Sequence, residues 1–223
     1  LTGVLALATF TMVALYAPND RPDPDASPLR ELGAFGNRQV VLTLLTAIVG
    51  FGGLFAVYSY TASILLEVTK ASPSVVPLVI GLFGVGMTVG NIGAAWLADK
   101  ALRPTATGLL IASAVVLAIF PSSVNNIWTL SLMVFLIGCT SGLAIVLQTY
   151  LMDVAKDAQT LAAAANHSAF NVANALGPWL AGLAITAGYG FPSAGYVGCA
   201  LALLGLVLWS VTLWDARRHP AAG

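Results

Sequence analysis

Residues 75–120 read VVPLVIGLFGVGMTVGNIGAAWLA from Val75 to Ala98, DKALRP from Asp99 to Pro104, and TATGLLIASAVVLAIF from Thr105 to Phe120. Two apolar runs flank a short link that holds an acid, two bases and a proline. Crossing the ~30 Å hydrocarbon core of a bilayer takes about 20 apolar residues. In lipid each backbone amide must be paired within its own segment, so each run is read as a helix. Neither run alternates as a half-buried strand would. The charged link makes the pair a hairpin of two spans.

The same character extends along the whole chain. Its 223 residues are 58% hydrophobic and 8% charged, and the mean hydropathy is +0.89. A soluble domain carries roughly a quarter charged residues. This excludes a water-soluble globule and a disordered tail. Nine Lys+Arg balance nine Asp+Glu, so no basic face is available for nucleic acid. Cys139 and Cys199 sit inside apolar runs, with no second thiol or histidine at metal-ligand spacing. No metal or cofactor is expected.

Seven spans are predicted: Leu1–Ala17, Val40–Leu66, Val75–Ala98, Thr105–Phe120, Ile127–Met152, Leu161–Ala187 and Ser193–Trp214. The chain opens on Leu1, already apolar, without the basic start of a signal peptide. The first run is therefore expected to be a span cut inside or just before the helix. The connections divide the charges. Arg21, Arg30, Arg38, Lys100, Arg103, Lys156, Arg217 and Arg218 fall on one side, and Lys70 alone falls on the other. Basic loops stay inside, which predicts a cytoplasmic C-terminus. Residues 18–38 interleave Pro18, Pro22, Pro24 and Pro28 with Asp20, Asp23 and Asp25 and read as a linker. Leu29, Leu32 and Phe35 then suggest a brief interfacial helix. The expected organisation is one helix (1–17), a linker (18–38), a six-helix block (39–215) and a cytoplasmic tail (216–223).

Small residues four apart let helices approach closely in lipid. Gly86, Gly90, Ala94 and Ala98 form one such ridge, with Gly81, Gly84 and Gly93 nearby. Gly138 with Gly142, and Ala173, Gly177 and Ala181, form others. The most informative polar set is His167, Asn171 and Asn174 at i, i+4 and i+7, one face of a helix, which Pro178 continues. Polar groups at this depth must meet protein or water. The asparagines line a substrate cavity or act as interhelical glue, and His167 is structural or relays protons. Asn91, Gln148 and Tyr58 are further cavity candidates. Tyr58, Ser59, Tyr60 and Thr61 also fit an interfacial belt. No Asp, Glu, Lys or Arg lies in the middle of any predicted span, so a proton-carrying carboxylate would have to lie elsewhere.

The segment Gly93-Ala-Ala-Trp-Leu97-Ala-Asp99-Lys100-Ala-Leu-Arg103 resembles the Gly-x-Leu-Ala-Asp-Arg-x-Gly-Arg loop signature of the major facilitator superfamily. Asp99, Lys100 and Arg103 match, while Ala95 and Leu102 replace the two glycines. Gly177-Pro178-Trp-Leu-Ala181-Gly182 is similar to the Gly-Pro-x-x-Gly-Gly motif of antiporter members, with Ala181 for one glycine. Leu147 to Asp153 with Ala162 to Asn171 looks like the drug- and arabinose-efflux branch, which includes chloramphenicol exporters. The resemblance implies the C-terminal six-helix half of such a transporter, built as an inverted 3+3 repeat, behind the last helix of its N-terminal half. It further implies proton-coupled antiport of small amphipathic molecules or sugars across a bacterial inner membrane. The missing N-terminal half would be its partner. Asp99, Lys100 and Arg103 would latch one state, and Gly177, Pro178 and Gly182 would bend a helix.

Two other classes remain. A seven-helix receptor fits an outer N-terminus, but Lys70, Lys100 and Lys156 all lie outside the spans, so none can carry retinal. An intramembrane hydrolase would need Ser141 beside His167, and Ser141 reads more simply as a packing residue. The chain is not read as an enzyme.

Overall fold

The computed structural model describes residues 2–16, 36–155 and 158–218. Most of the predicted linker, with Leu29, Leu32 and Phe35, lies outside the described residues, as do Lys156 and residues 219–223. The described chain is helical. It comprises α1 (Thr2–Tyr16), α2 (Arg38–Tyr58), the short α3 (Thr61–Ser63), α4 (Val76–Ser123), α5 (Ile127–Cys139), α6 (Leu143–Ala155), α7 (Gln159–Ala184) and α8 (Ser193–Arg218).

Four helical stretches are long and apolar enough to cross a bilayer: Arg38–Val68, Pro73–Ser123, Ile127–Ala155 and Ser193–Arg218. The third and fourth predicted spans are one helical element, α4, interrupted at Ala101 (φ −157°, ψ 77°). A straight helix of 48 residues would be about 72 Å long. Yet Thr69, just before α4, donates its hydroxyl to the Val124 carbonyl just after it, at 2.6 Å. The element therefore doubles back on itself at Ala101, as arms 76–100 and 102–123. Ala101 is extended, a conformation open to any residue, and Pro104 suits the first turn of the second arm.

Two other spans are less regular than the sequence suggests. Beyond Tyr58 the chain turns, resumes as α3 and widens into a π-helical turn at Ile64–Val68. A 3-10 turn at Thr140–Gly142 separates α5 from α6. The predicted sixth span, Leu161–Ala187, falls on α7 and a π-helical turn at Ile185–Tyr189, but it is not among the four stretches apolar enough to cross. Asn166, His167, Asn171 and Asn174 lower its apolar content. The first predicted span is the 15-residue α1, too short to be counted with the four. Its side chains from Leu5 to Tyr16 are all exposed rather than packed on the bundle.

Helix α2 is the centre of the bundle and packs on α6, α7 and α8. Glycines set the spacing. A Cβ on Gly205 would lie 2.5 Å from the Gly50 Cα, and one on Gly53 would lie 2.5 Å from the Gly198 carbonyl oxygen. The first arm of α4 crosses α5 just as closely. A Cβ on Gly86 would strike the Phe135 carbonyl, one on Gly90 the Cys139 carbonyl, and one on Gly142 would lie 2.5 Å from the Gly90 carbonyl. Gly81, Gly84 and Gly93 have open space beside them and take no part in this crossing.

The core is apolar and includes Trp209, Phe120, Ile64, Leu110 and Leu147. So is much of the surface: Leu78, Leu82, Val85, Val89, Ile92 and Trp96 form one exposed face of α4. Apolar patches this extended belong to lipid or to a partner, not to water.

Candidate functional site

Two regions carry the polar groups. The first is α7. Its packed face runs Ala162, Asn166, Ala169, Ala173, Gly177 and Ala181, all buried. Gly177 lies against the Gly52 carbonyl of α2, and Phe170 stacks on Phe51 with ring centroids 4.7 Å apart. His167, Asn171 and Asn174 are exposed on the opposite side. The polar face is thus free of this bundle.

Asn166 lies outside the polar face that the sequence marks. It is fully buried, and neither its Oδ1 nor its Nδ2 has a hydrogen-bond partner among the described residues. A helical wheel through Ala162, Ala169 and Ala173 would have placed it on the small-residue face. The missing bonds carry no sequence signal.

Pro178 sits where α7 meets the broken end of α2. The Tyr60 hydroxyl donates to the Pro178 carbonyl at 3.1 Å, and the Tyr60 ring faces Phe191. A Cβ on Gly182 would come within 2.7 Å of that hydroxyl, so Gly182 makes room for it. In the sequence Tyr60 fits only an interfacial belt. Tyr58 is 37% exposed, and its ring lies 4.4 Å from that of Phe83.

Asn91 is elsewhere, in the crossing of α4 with the Thr140–Gly142 turn. It is half-buried and its Oδ1 accepts from Ser141 Oγ at 3.3 Å. That bond commits Ser141, which is buried, to Asn91 rather than to the exposed His167. Among the described residues, no hydrogen bond joins Ser141 to His167. Gln148 is half-buried on α6.

The second region is the end of the bundle where α4 turns back. Asp99, Lys100 and Arg103 are all exposed. The Lys100 ammonium lies 3.4 Å from the centre of the Trp96 ring, and the Arg103 guanidinium faces Tyr150 at 5.8 Å. The ion pair at this end, among the described residues, is Arg38 with Asp215 at 3.3 Å, not Asp99 with either neighbouring base. Two bonds gather helix ends here. Tyr150 donates to Gln39 Oε1 at 3.1 Å, and Asn37 Nδ2 donates to the Val154 carbonyl at 3.0 Å. Arg103 and Arg217 line one depression, so the α4 bend and the end of α8 share one end of the bundle.

A family model described as Major Facilitator Superfamily matches residues 1–152 and, in an overlapping alignment, residues 59–222. The chain belongs to the major facilitator superfamily. Among superfamily relatives, it is 32% identical over 218 residues to the "Inner membrane transport protein YdhP" of Escherichia coli K12, covering 96% of this chain and 55% of that protein. It is 30% identical over 212 residues to a "Probable sugar efflux transporter" of Helicobacter pylori G27, covering 92% and 52% respectively. It is 26% identical over 223 residues to the "Putative transporter AraJ" of Escherichia coli K12, covering 97% and 55%. The chain spans about half the length of the curated relatives it matches. As a superfamily member with bilayer-length apolar helices, it is an integral membrane protein of a transporter family.

Proposed function

We propose that this chain is the C-terminal half of a secondary transporter that exports small amphipathic molecules or sugars by proton-coupled antiport. Six spans, α2 with its extension, the two arms of α4, α5 with α6, α7, and α8, form one rocking block. Helix α1 is the last span of the other half. The doubling back at Ala101 supports this count, and the length of the relatives supports a preceding half. The basic loops put the C-terminus in the cytoplasm.

The observation that carries the reading is α7. One of its faces is sealed against α2 while the other presents His167, Asn171 and Asn174 unpacked. Polar side chains on a membrane helix are expensive against acyl chains and natural against a wet cavity. In alternating access the cavity lies between two halves, which is the side α7 leaves open. Asn171 and Asn174 hydrogen-bond the cargo there, and His167, nearer the cytoplasm, accepts and releases the proton. Tyr58 flanks the cavity from α2, and Asn91 and Gln148 are its further polar candidates. Asp99, Lys100 and Arg103 latch one state, the two bases trading their aromatic partners for contacts across the halves.

The test uses the intact protein in proteoliposomes with an imposed pH gradient. Asn171→Ala with Asn174→Ala is expected to raise KM for the exported compound about tenfold while the protein still inserts. An unchanged KM would refute the cavity assignment. The relatives named for sugar efflux make sugars the first compounds to assay, and dissipation of the gradient by transport reports the coupling ion. Efflux that ignores the pH gradient sinks the antiport reading alone.

A further inference from the structure

At the end of the bundle that holds the α4 bend, Arg103, Pro104, Thr107, Leu213 and Arg217 line a depression of about 300 Å³. The two guanidiniums come from different elements, the bend and the last turn of α8. Among the described residues, no carboxylate lines the depression. Asp215, two residues before Arg217, is buried and paired with Arg38 at 3.3 Å, and among the described residues no acid pairs with Arg217. Asp99 and Asp153 are exposed to solvent. The other nearby bases are engaged elsewhere. Arg218 lies 3.8 Å from the centre of the Trp214 ring, and Lys100 lies on Trp96.

The floor is held in place. Thr107 donates its hydroxyl to the Arg103 carbonyl at 3.0 Å and accepts from Trp209 Nε1 at 3.0 Å. Trp209 in turn meets Tyr150 edge-on, with centroids 4.9 Å apart, and Tyr150 offers its ring to Arg103. The polar capacity left to a ligand is therefore two planar forks, and the flanking walls are apolar.

Guanidinium forks match phosphate oxygens in pairs. Basic pockets between membrane helices at the bilayer surface take anionic headgroups. We propose that the Arg103–Arg217 depression binds a phosphate group, that of an anionic phospholipid headgroup. The chemistry is shared with free phosphate, but Pro104 and Leu213 favour the lipid because they give its chains an apolar approach. The inference rests on the chain lying in a membrane and not on its transporting any particular compound.

The test titrates the intact protein in detergent with dioctanoyl phosphatidylglycerol, dioctanoyl phosphatidylcholine or inorganic phosphate and follows the thermal midpoint. Phosphatidylglycerol is expected to raise the midpoint saturably, and phosphatidylcholine is not. Arg217→Gln should weaken the apparent affinity about five-fold, and Arg103→Gln with Arg217→Gln should abolish the effect. Arg218→Gln removes the same charge outside the depression and should leave the affinity within about two-fold. The proposal fails if the double variant keeps the phosphatidylglycerol shift, or if Arg218→Gln weakens it as much as Arg217→Gln. A saturable shift with inorganic phosphate alone, lost in Arg217→Gln, supports the phosphate site and assigns it to a soluble ligand.

Discussion

Asn166 sits on the packed face of α7 with neither carboxamide atom bonded among the described residues. An unpaired buried polar group costs about 1–3 kcal/mol. Asn166→Ala in the intact protein is therefore expected to raise the thermal midpoint, and a lowered midpoint would show that the carboxamide finds partners in the membrane. Tyr60 is the opposite case, a hydroxyl with one well-placed acceptor. Tyr60→Phe should cost about 1 kcal/mol, and Gly182→Ala, which crowds the same hydroxyl, should cost little more once Tyr60 is already Phe. Additive losses in the double variant would separate the two residues. The polar face of α7 was legible because spacing alone puts His167, Asn171 and Asn174 together. The Tyr60–Pro178 bond was not, because it joins residues 118 apart in sequence. Asn166 could be placed on a face but not shown to lack partners.

The crossing of α4 and α5 decides how much a methyl group matters. Gly90 has the Cys139 carbonyl where a Cβ would go, whereas Gly93, one turn on, has open space. Gly90→Ala is expected to destabilise by about 2 kcal/mol through overpacking. Gly93→Ala should be neutral or slightly stabilising, since alanine is the better helix former. Equal effects on the thermal midpoint would remove the crossing as the cause. The ridge of small residues was readable from its four-residue spacing. Which of its neighbours take part was not, because that depends on how α5 lies across α4. The breaks at Tyr58–Thr61 and Thr140–Gly142 left no proline behind in the sequence. Helices interrupted this way without proline read as continuous apolar runs.

For the molecule as a whole, hydropathy is the dominant signal, and it made the membrane reading and the hairpin of residues 75–120 accessible at once. It is weakest at α7, where the residues that suggest function also reduce the apolar content by which a span is recognised. The loop charges predicted that Asp99, Arg103 and Arg217 share a side, and Arg103 and Arg217 do line one depression. The loop signature implied that Asp99, Lys100 and Arg103 latch one state, and here the two bases rest on Trp96 and Tyr150. If Asp99 acts only when the two halves meet, Asp99→Lys should leave insertion and the thermal midpoint of the intact protein unchanged while abolishing efflux from proteoliposomes. Normal efflux would retire the latch.

The reversal at Ala101 uses extended backbone followed by a proline, a geometry that demands no glycine. Substitutions at residues 95 and 102 are thus free to drift without opening the hairpin. A pattern search keyed to the two glycines of the signature would pass over chains like this one, whereas a search keyed to its acid and bases would retrieve them.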